Sequence, residues 1–270
     1  MATRAPRGPP TKASVLQWDA QTNEPYIRLP HPYSDFIVTP TRPSDISDIM
    51  SIFNDPRVYQ WLTFIPHPFT QEHATQWVLD MKRKSDSIMD GVSPILSLSQ
   101  GHIMDGCPVH VLRKVLPDGR YAFVGNISFK RCRFWYVEDE KERSRLAYEN
   151  ETKPIGDPGI VWSLSVHLLP THHSQGLMTT AARYLITEWM IPRAGAEIFL
   201  VDIFEANIGS MRMAVKVGFV LQETLLLTSD IPNRFHKRLC LLRWRDDGRI
   251  QYEGYWTNED GIDEACGMKQ

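Results

Sequence analysis

The chain has no stretch approaching the eighteen or so consecutive apolar residues that a bilayer crossing needs, so no membrane-spanning helix is expected. It also lacks paired cysteines. Its four, Cys107, Cys132, Cys240 and Cys266, are scattered with no C-x-x-C among them, which points away from a zinc site and a disulfide framework and toward a reducing, cytoplasmic setting. No single sign of charge dominates: 30 Lys and Arg stand against 32 Asp and Glu, a formal charge of -2. Such a chain carries no field for holding nucleic acid by counterion release. The neighbouring His172 and His173 have no second cluster at ligand spacing, so no metal is expected. Two phosphate and hydrolase signatures are missing as well. Gly176-Leu177-Met178 has no lysine for a P-loop, and Ser210 is not framed as Gly-x-Ser-x-Gly. The N-terminus is basic, with no acid before Asp19, but has no apolar core for a secretory signal. Pro6, Pro9 and Pro10 oppose the amphipathic helix of a mitochondrial presequence, which leaves a disordered cytosolic leader.

What the chain does contain is enough apolar residue, 42% of 270, to bury one substantial core with attachments. Residues 1–35 are rich in proline and polar residues, with isolated Val15, Leu16 and Trp18, and read as an extended or partly disordered arm. A domain follows over 36–244. Phe36–Thr41 reads as a strand, and Pro43-Ser44-Asp45 opens a helix with Ile46, Ile49, Met50 and Phe53 on one face. Thr70 begins a second helix. Strands are expected near 109–115 and 121–129, joined through the turn Pro117-Asp118-Gly119. A charged insertion spans 130–157 as a surface excursion. After it come the apolar strand 160–168, a helix from about Gly176 to Met190, a strand 198–204, a short helix 209–217 and a last strand near 237–244. Residues 245–270 form a polar tail.

Two segments carry the chemistry. Leu164–Pro170 running into His173-Ser174-Gln175-Gly176-Leu177-Met178 reads as a strand, a tight glycine loop and a helix. Backbone N–H groups at a helix N-terminus point outward with partial positive charge, so this loop can cradle a pyrophosphate without basic side chains. An ordinary glycine-initiated helix is the plain alternative. The second segment is Asn207-Ile208-Gly209-Ser210, closing on Lys216-Val217-Gly218-Phe219.

Together these segments resemble the acetyl-CoA-binding core of the GNAT N-acetyltransferase superfamily. In that family the cradle runs Arg or Gln, two residues, Gly, one residue, then Gly or Ala; here His173, Gly176 and Met178 hold those places, and only the glycine matches outright. Asn207, Ser210, Lys216, Gly218 and Phe219 fall in the family's second register. The resemblance implies a mixed α+β sheet over 36–244 with two splayed parallel strands flanked by helices, and transfer of an acetyl group from acetyl-CoA to a primary amine. It further implies that the pantetheine lies along Val166, His167 and Leu168, that His173, Ser174, Gln175, Gly176, Leu177 and Met178 hold the pyrophosphate, and that Asn207 faces them from the other strand. Phe64, Trp61 and Trp162 are then expected on the acceptor side. Many members protonate the departing thiolate with a Tyr, where this chain has Ala214. That departure points to the branch acetylating N-terminal amines of ribosomal proteins, in which a serine at the Ser210 position is thought to serve; a Ser in this turn is equally suited to helix capping.

The family's usual Glu is missing from the strand before the cradle, so the general base is open. His167 is the strand residue whose ordinary pKa suits the task, although such a His is also a common half-buried polar contact. Asp202 and Glu205 are further candidates. The acceptor is a protein N-terminus or a small amine, and homodimerisation is compatible with the sequence. A non-catalytic CoA-binding or interaction module on the same fold is the competing reading, since degeneration would remove these same side chains.

Overall fold

In the computed structural model, which describes residues 15–90, 102–228 and 236–245, one mixed sheet of nine strands organises the chain. Its strands are β1 (Leu16–Asp19), β2 (Glu24–Arg28), β3 (Phe36–Thr39), β4 (Val111–Val115), β5 (Tyr121–Arg131), β6 (Val161–Leu168), β7 (Ile198–Phe204), β8 (Phe219–Leu226) and β9 (Arg238–Trp244). The spatial order is β1-β2-β3-β4-β5-β6-β7-β9-β8. Every neighbouring pair is antiparallel except β6 and β7. This is the α+β sheet that the order of elements implied. A parallel pair needs a long crossover, and the helix after β6 supplies it.

Two strands of this sheet come from the segment read as an arm. Isolated apolar side chains anchor it: Leu16, Ile27 and Leu29 are buried, and β2 pairs with β3 through Ile27 and Val38. The charged insertion also docks on the domain. Its helix α4 (Glu140–Glu151) starts at Asp139, whose carboxylate accepts the Glu142 N–H at 2.8 Å, the ordinary N-cap bond. Asn150 at its other end donates to the carbonyls of Cys132 and Val161 and accepts the Val161 N–H at 2.8 Å. A buried amide satisfied on both sides ties the insertion to the start of β6.

Helices cover both faces. On one, α1 (Ile46–Asn54), the single turn α2 (Pro56–Tyr59) and α3 (Gln71–Met89) pack Ile49, Ile52, Phe53 and Val78 on Val111 and Phe123. On the other, α5 (Leu177–Leu185) runs through a π-helical stretch, Ile186–Met190, into α6 (Ile191–Ala194), and joins α7 (Ile208–Val217) over Trp162 and Phe199. The start of α1 is held by a buried ion pair. Arg113 reaches both oxygens of Asp45 at 2.7 and 2.8 Å and donates to Thr39 Oγ1 at 2.8 Å, so neither charge is left uncompensated.

Candidate active site

The site begins where the sheet opens. The parallel ladder runs through Val161↔Ile198, Trp162↔Phe199 and Ser163↔Leu200 and ends there, yet β6 continues to Leu168 and β7 to Phe204. Beyond Ser163 the two strands diverge. The backbone of Val166, His167 and Leu168 lies in this stretch, and backbone groups without a ladder partner must bond water or a ligand. Leu168 also faces Gly125 of β5 in the register. A Cβ on Gly125 would lie 2.2 Å from the His167 carbonyl oxygen, so only glycine admits the close approach of β5 to this part of β6.

A tight loop leads from β6 into α5. A 3-10 turn, Pro170–His172, precedes it; Ser174 takes a φ of 58° and Gly176 a φ of +76°. Gly176 is the N-cap, in the left-handed region where a side chain is strained. Leu177 and Met178 bury their side chains in the core, so what they offer a ligand is their N–H groups, which have no partner within the helix. Open amides, a helix dipole and the absence of a carboxylate from the loop are compatible with a phosphate group.

Side chains brace the loop from within and from the arm. The His173 ring Nε2 lies 3.0 Å from the Leu168 carbonyl oxygen, and Gln175 donates to the Thr171 carbonyl at 2.8 Å. Tyr33, between β2 and β3, donates its hydroxyl to the Gln175 carbonyl, and its oxygen is the atom a Cβ on Gly176 would meet, at 3.0 Å. Sequence reading missed Tyr33. Its partner is a backbone carbonyl, a contact that leaves no signature in residue types. His172 stacks edge-on with Phe36 at 6.2 Å and takes no part in a metal cluster; among the described residues no three His, Cys, Asp or Glu side chains converge.

Across the opening, Asn207 is the N-cap of α7: its side-chain oxygen accepts the Ser210 N–H at 3.2 Å. The cap position is thereby filled, and Ser210 sits in the first turn with its hydroxyl free of that duty. Ala214, where many family members carry Tyr, is fully buried in the core. Lys216 lies in the last turn, and the helix stops at Gly218.

The opposite face of the opening belongs to side chains. His167, paired in the register with Asn126, packs its ring edge-on against Phe53 at 5.0 Å. Its Nδ1 is buried with no hydrogen-bond partner among the described residues. Burial, with Lys130 adding to it, lowers its pKa to about 4. A ring so held is neutral at physiological pH and a weak base. Glu205 is engaged by Arg238 at 2.5 and 3.0 Å. Asp202 differs from both: burial raises its pKa, and among the described residues its one charge-stabilising side-chain contact is the Trp135 indole N–H at 2.9 Å from Oδ2. Trp61 and Phe64 stand on this side, Trp61 stacked on His236 and Phe64 edge-on to Trp135. Trp162 does not. Its neighbours in β6 alternate, so Trp162 points to the other face, where it is buried beneath α5 with Phe199 and Trp189 in one cluster; the acceptor-side expectation for it is corrected.

Comparison with known proteins bears on this geometry. An acetyltransferase (GNAT) domain model matches residues 35–220, well over half of the chain. No curated protein sequence matches it. Similar solved structures include an acetyltransferase (GNAT family) from Bacillus anthracis, at 11% identity and a TM-score of 0.52, with 81% of this chain and 96% of that one covered. Another is the ribosomal-protein-S5-alanine acetyltransferase from Vibrio fischeri, at 16% identity and 0.51, covering 79% and 94%. A third is the microcin C7 self-immunity acetyltransferase MccE, solved with acetyl-CoA and AMP, at 10% and 0.50, covering 77% and 91%. At such identities the likeness is one of fold, and the family model carries the assignment: this chain belongs to the GNAT acetyltransferases, acyltransferases whose acetyl donor is acetyl-CoA.

Proposed function

We propose that the protein acetylates a primary amine at a polypeptide N-terminus, the chemistry of the ribosomal-protein branch. The observation that carries the reading is the coincidence of the strand opening after Ser163↔Leu200 with the left-handed Gly176 cradle on one flank and the Asn207-capped α7 on the other. In this reading the amides of Gly176, Leu177 and Met178 hold the pyrophosphate, with His173, Ser174 and Gln175 shaping the loop around it. The open backbone of Val166, His167 and Leu168 aligns the pantetheine, and an N–H there polarises the thioester carbonyl. Asn207 orients the first turn of α7, and the Ser210 hydroxyl returns a proton to sulfur as the C–S bond breaks. His167 stays neutral and shapes the floor beside Phe53.

Replacing Gly176 by Val tests the cradle. A β-branched residue at this φ is strained by about 1–2 kcal/mol and blocks the backbone approach, so CoA affinity should fall by about 10- to 100-fold in calorimetry while the fold persists. Unchanged CoA affinity in a folded Gly176→Val protein would remove the cradle from the proposal. Tight CoA binding by the wild type without thiol release on any amine would favour the non-catalytic module instead.

A further inference from the structure

Asp202 is a half-buried carboxylate that no cationic side chain among the described residues neutralises. It lies on β7 two residues past Leu200, the last residue of the parallel ladder, and so inside the opening. Strand alternation puts it on the face of Leu200 and Phe204, opposite Val201 and Ile203, which belong to the core beneath α5 and α7. Among the described residues no Lys, Arg or His pairs with it; its hydrogen bond from Trp135 is neutral. The contrast with Asp45 is direct, since that buried carboxylate is met on both oxygens by Arg113. A carboxylate withdrawn from water with no cation beside it either takes up a proton or receives a cationic ligand, and either makes it a candidate functional group.

The walls say what kind of cation. Trp135, which holds Asp202, is edge-on to Tyr136 at 6.3 Å and to Phe64 at 5.2 Å. Phe64 is 68% exposed and continues the aromatic surface begun by Trp135. Trp61 and His236 stack at 4.6 Å, and His236 reaches Phe204 at 5.6 Å. Trp135 and Tyr136 come from the charged insertion, Trp61 and Phe64 from the loop between α2 and α3. One carboxylate at the base of an aromatic rim is suited to an ammonium that carries an apolar group beside its nitrogen.

From this geometry we infer that Asp202 receives the ammonium of the acceptor and takes its proton, and that the acceptor is a primary amine with an apolar side chain next to the nitrogen. The inference rests on the acetyl-transfer reading and sharpens it. Protons and bonds balance as follows: the ammonium gives one proton to Asp202, its freed lone pair forms the N–C bond as the C–S bond breaks, and the second proton lost by nitrogen ends on sulfur. Asp202 returns its proton to solvent before the next turnover. Among the described residues, the titratable groups that act on Asp202 are Cys132 and Tyr136. Burial pushes the Cys132 thiol up to about 11 and the Tyr136 hydroxyl well above its ordinary value, so both are neutral bystanders; Glu223 acts on Tyr136 and adds to its rise.

The test uses the full chain, acetyl-CoA and five dipeptide amides with N-terminal Phe, Met, Ala, Ser or Glu, read by thiol release, alongside calorimetry with CoA. Phe and Met should exceed Ser and Glu by about tenfold in kcat/KM, the size of a modest apolar contact. Asp202→Asn should lower kcat/KM by about 10²- to 10⁴-fold with CoA affinity within about twofold of wild type. Trp135→Phe removes the bond that favours the charged carboxylate, so the acid limb of the kcat/KM profile should move to higher pH, a shift that a purely structural tryptophan would not cause. The inference is overturned if Asp202→Asn keeps activity within about threefold of wild type, if the acid limb is unmoved in Trp135→Phe, if Ser or Glu is preferred, or if none of the five amides is acetylated. Failure of wild-type CoA binding would instead overturn the acetyl-transfer reading itself.

Discussion

The two flanks of the opened sheet are built from different materials. The flank that we propose as the phosphate cradle is made of backbone: amides of Gly176, Leu177 and Met178, a left-handed N-cap, and two buried side chains that offer nothing polar. The flank that we propose receives the acceptor is made of side chains drawn from the loop after α2, the insertion and β7, among them Phe64, Trp135 and Asp202. Backbone geometry depends on where the chain can take a positive φ and start a helix, which tolerates wide change of sequence. Side-chain walls depend on each residue. A site built of backbone can therefore persist through wide change of sequence, while a wall built of side chains is read only from its own residues.

If that contrast holds, substitutions on the two flanks should separate in their readouts, and Ser210 should give the largest separation. Ser210→Ala should reduce kcat by about 10²- to 10⁴-fold, the contribution of a placed general acid, and leave CoA affinity near wild type. Because Asn207 already caps α7, the same variant should melt within a few degrees of wild type. A kcat within twofold of wild type would take Ser210 out of the chemistry and weaken the contrast.

Acid should act mainly through buried rings rather than through the cradle. His110, beside Thr41, and His167, against Phe53, are held neutral by burial, with pKa values lowered to about 3 and about 4 from an ordinary 6.5. In that window the unfolded chain binds more protons than the folded one, so stability is full above about pH 6.5 and falls as pH drops toward 4. Each ring can contribute a slope of up to about 1.4 kcal/mol per pH unit. Urea unfolding at several pH values should show this loss, and His167→Gln should flatten it. An unchanged slope in that variant would mean that the ring is charged in the fold.

The smallest expected effect tests the arm's hold on the cradle. Tyr33→Phe removes one hydroxyl bond to the Gln175 carbonyl, worth about 0.5–1.5 kcal/mol, so CoA affinity should weaken by about two- to tenfold with acceptor KM unchanged. A change confined to acceptor KM would assign Tyr33 to the other flank.

Much of the fold was legible in residue order. Gly176 after an apolar strand, Asn207 before a short helix and Pro117-Asp118-Gly119 between two β-rich runs each carry a local cause, so strand, glycine loop, helix and hairpin follow without tertiary knowledge. The hairpin of β1 and β2 was hidden, because Leu16, Ile27 and Leu29 are too sparse to show periodicity and gain their burial only from the sheet they join. Strand β8 was hidden for a related reason: a partly exposed edge strand shows no clean alternation. Trp162 shows the limit for the site. Its type suggested a substrate wall, but the parity of β6 turns it into the core.

The sequence by itself determined the backbone half of this protein, since a left-handed glycine, a helix start and a parallel crossover are consequences of short-range sterics and hydrogen bonding. Only the tertiary structure decided the side-chain half. Asp202 and Trp135 are 67 positions apart, and whether that carboxylate meets a cation, a water or an indole is a matter of which loops the fold brings over it. Burial, not residue type, makes His167 a poor base and raises the pKa of Asp202.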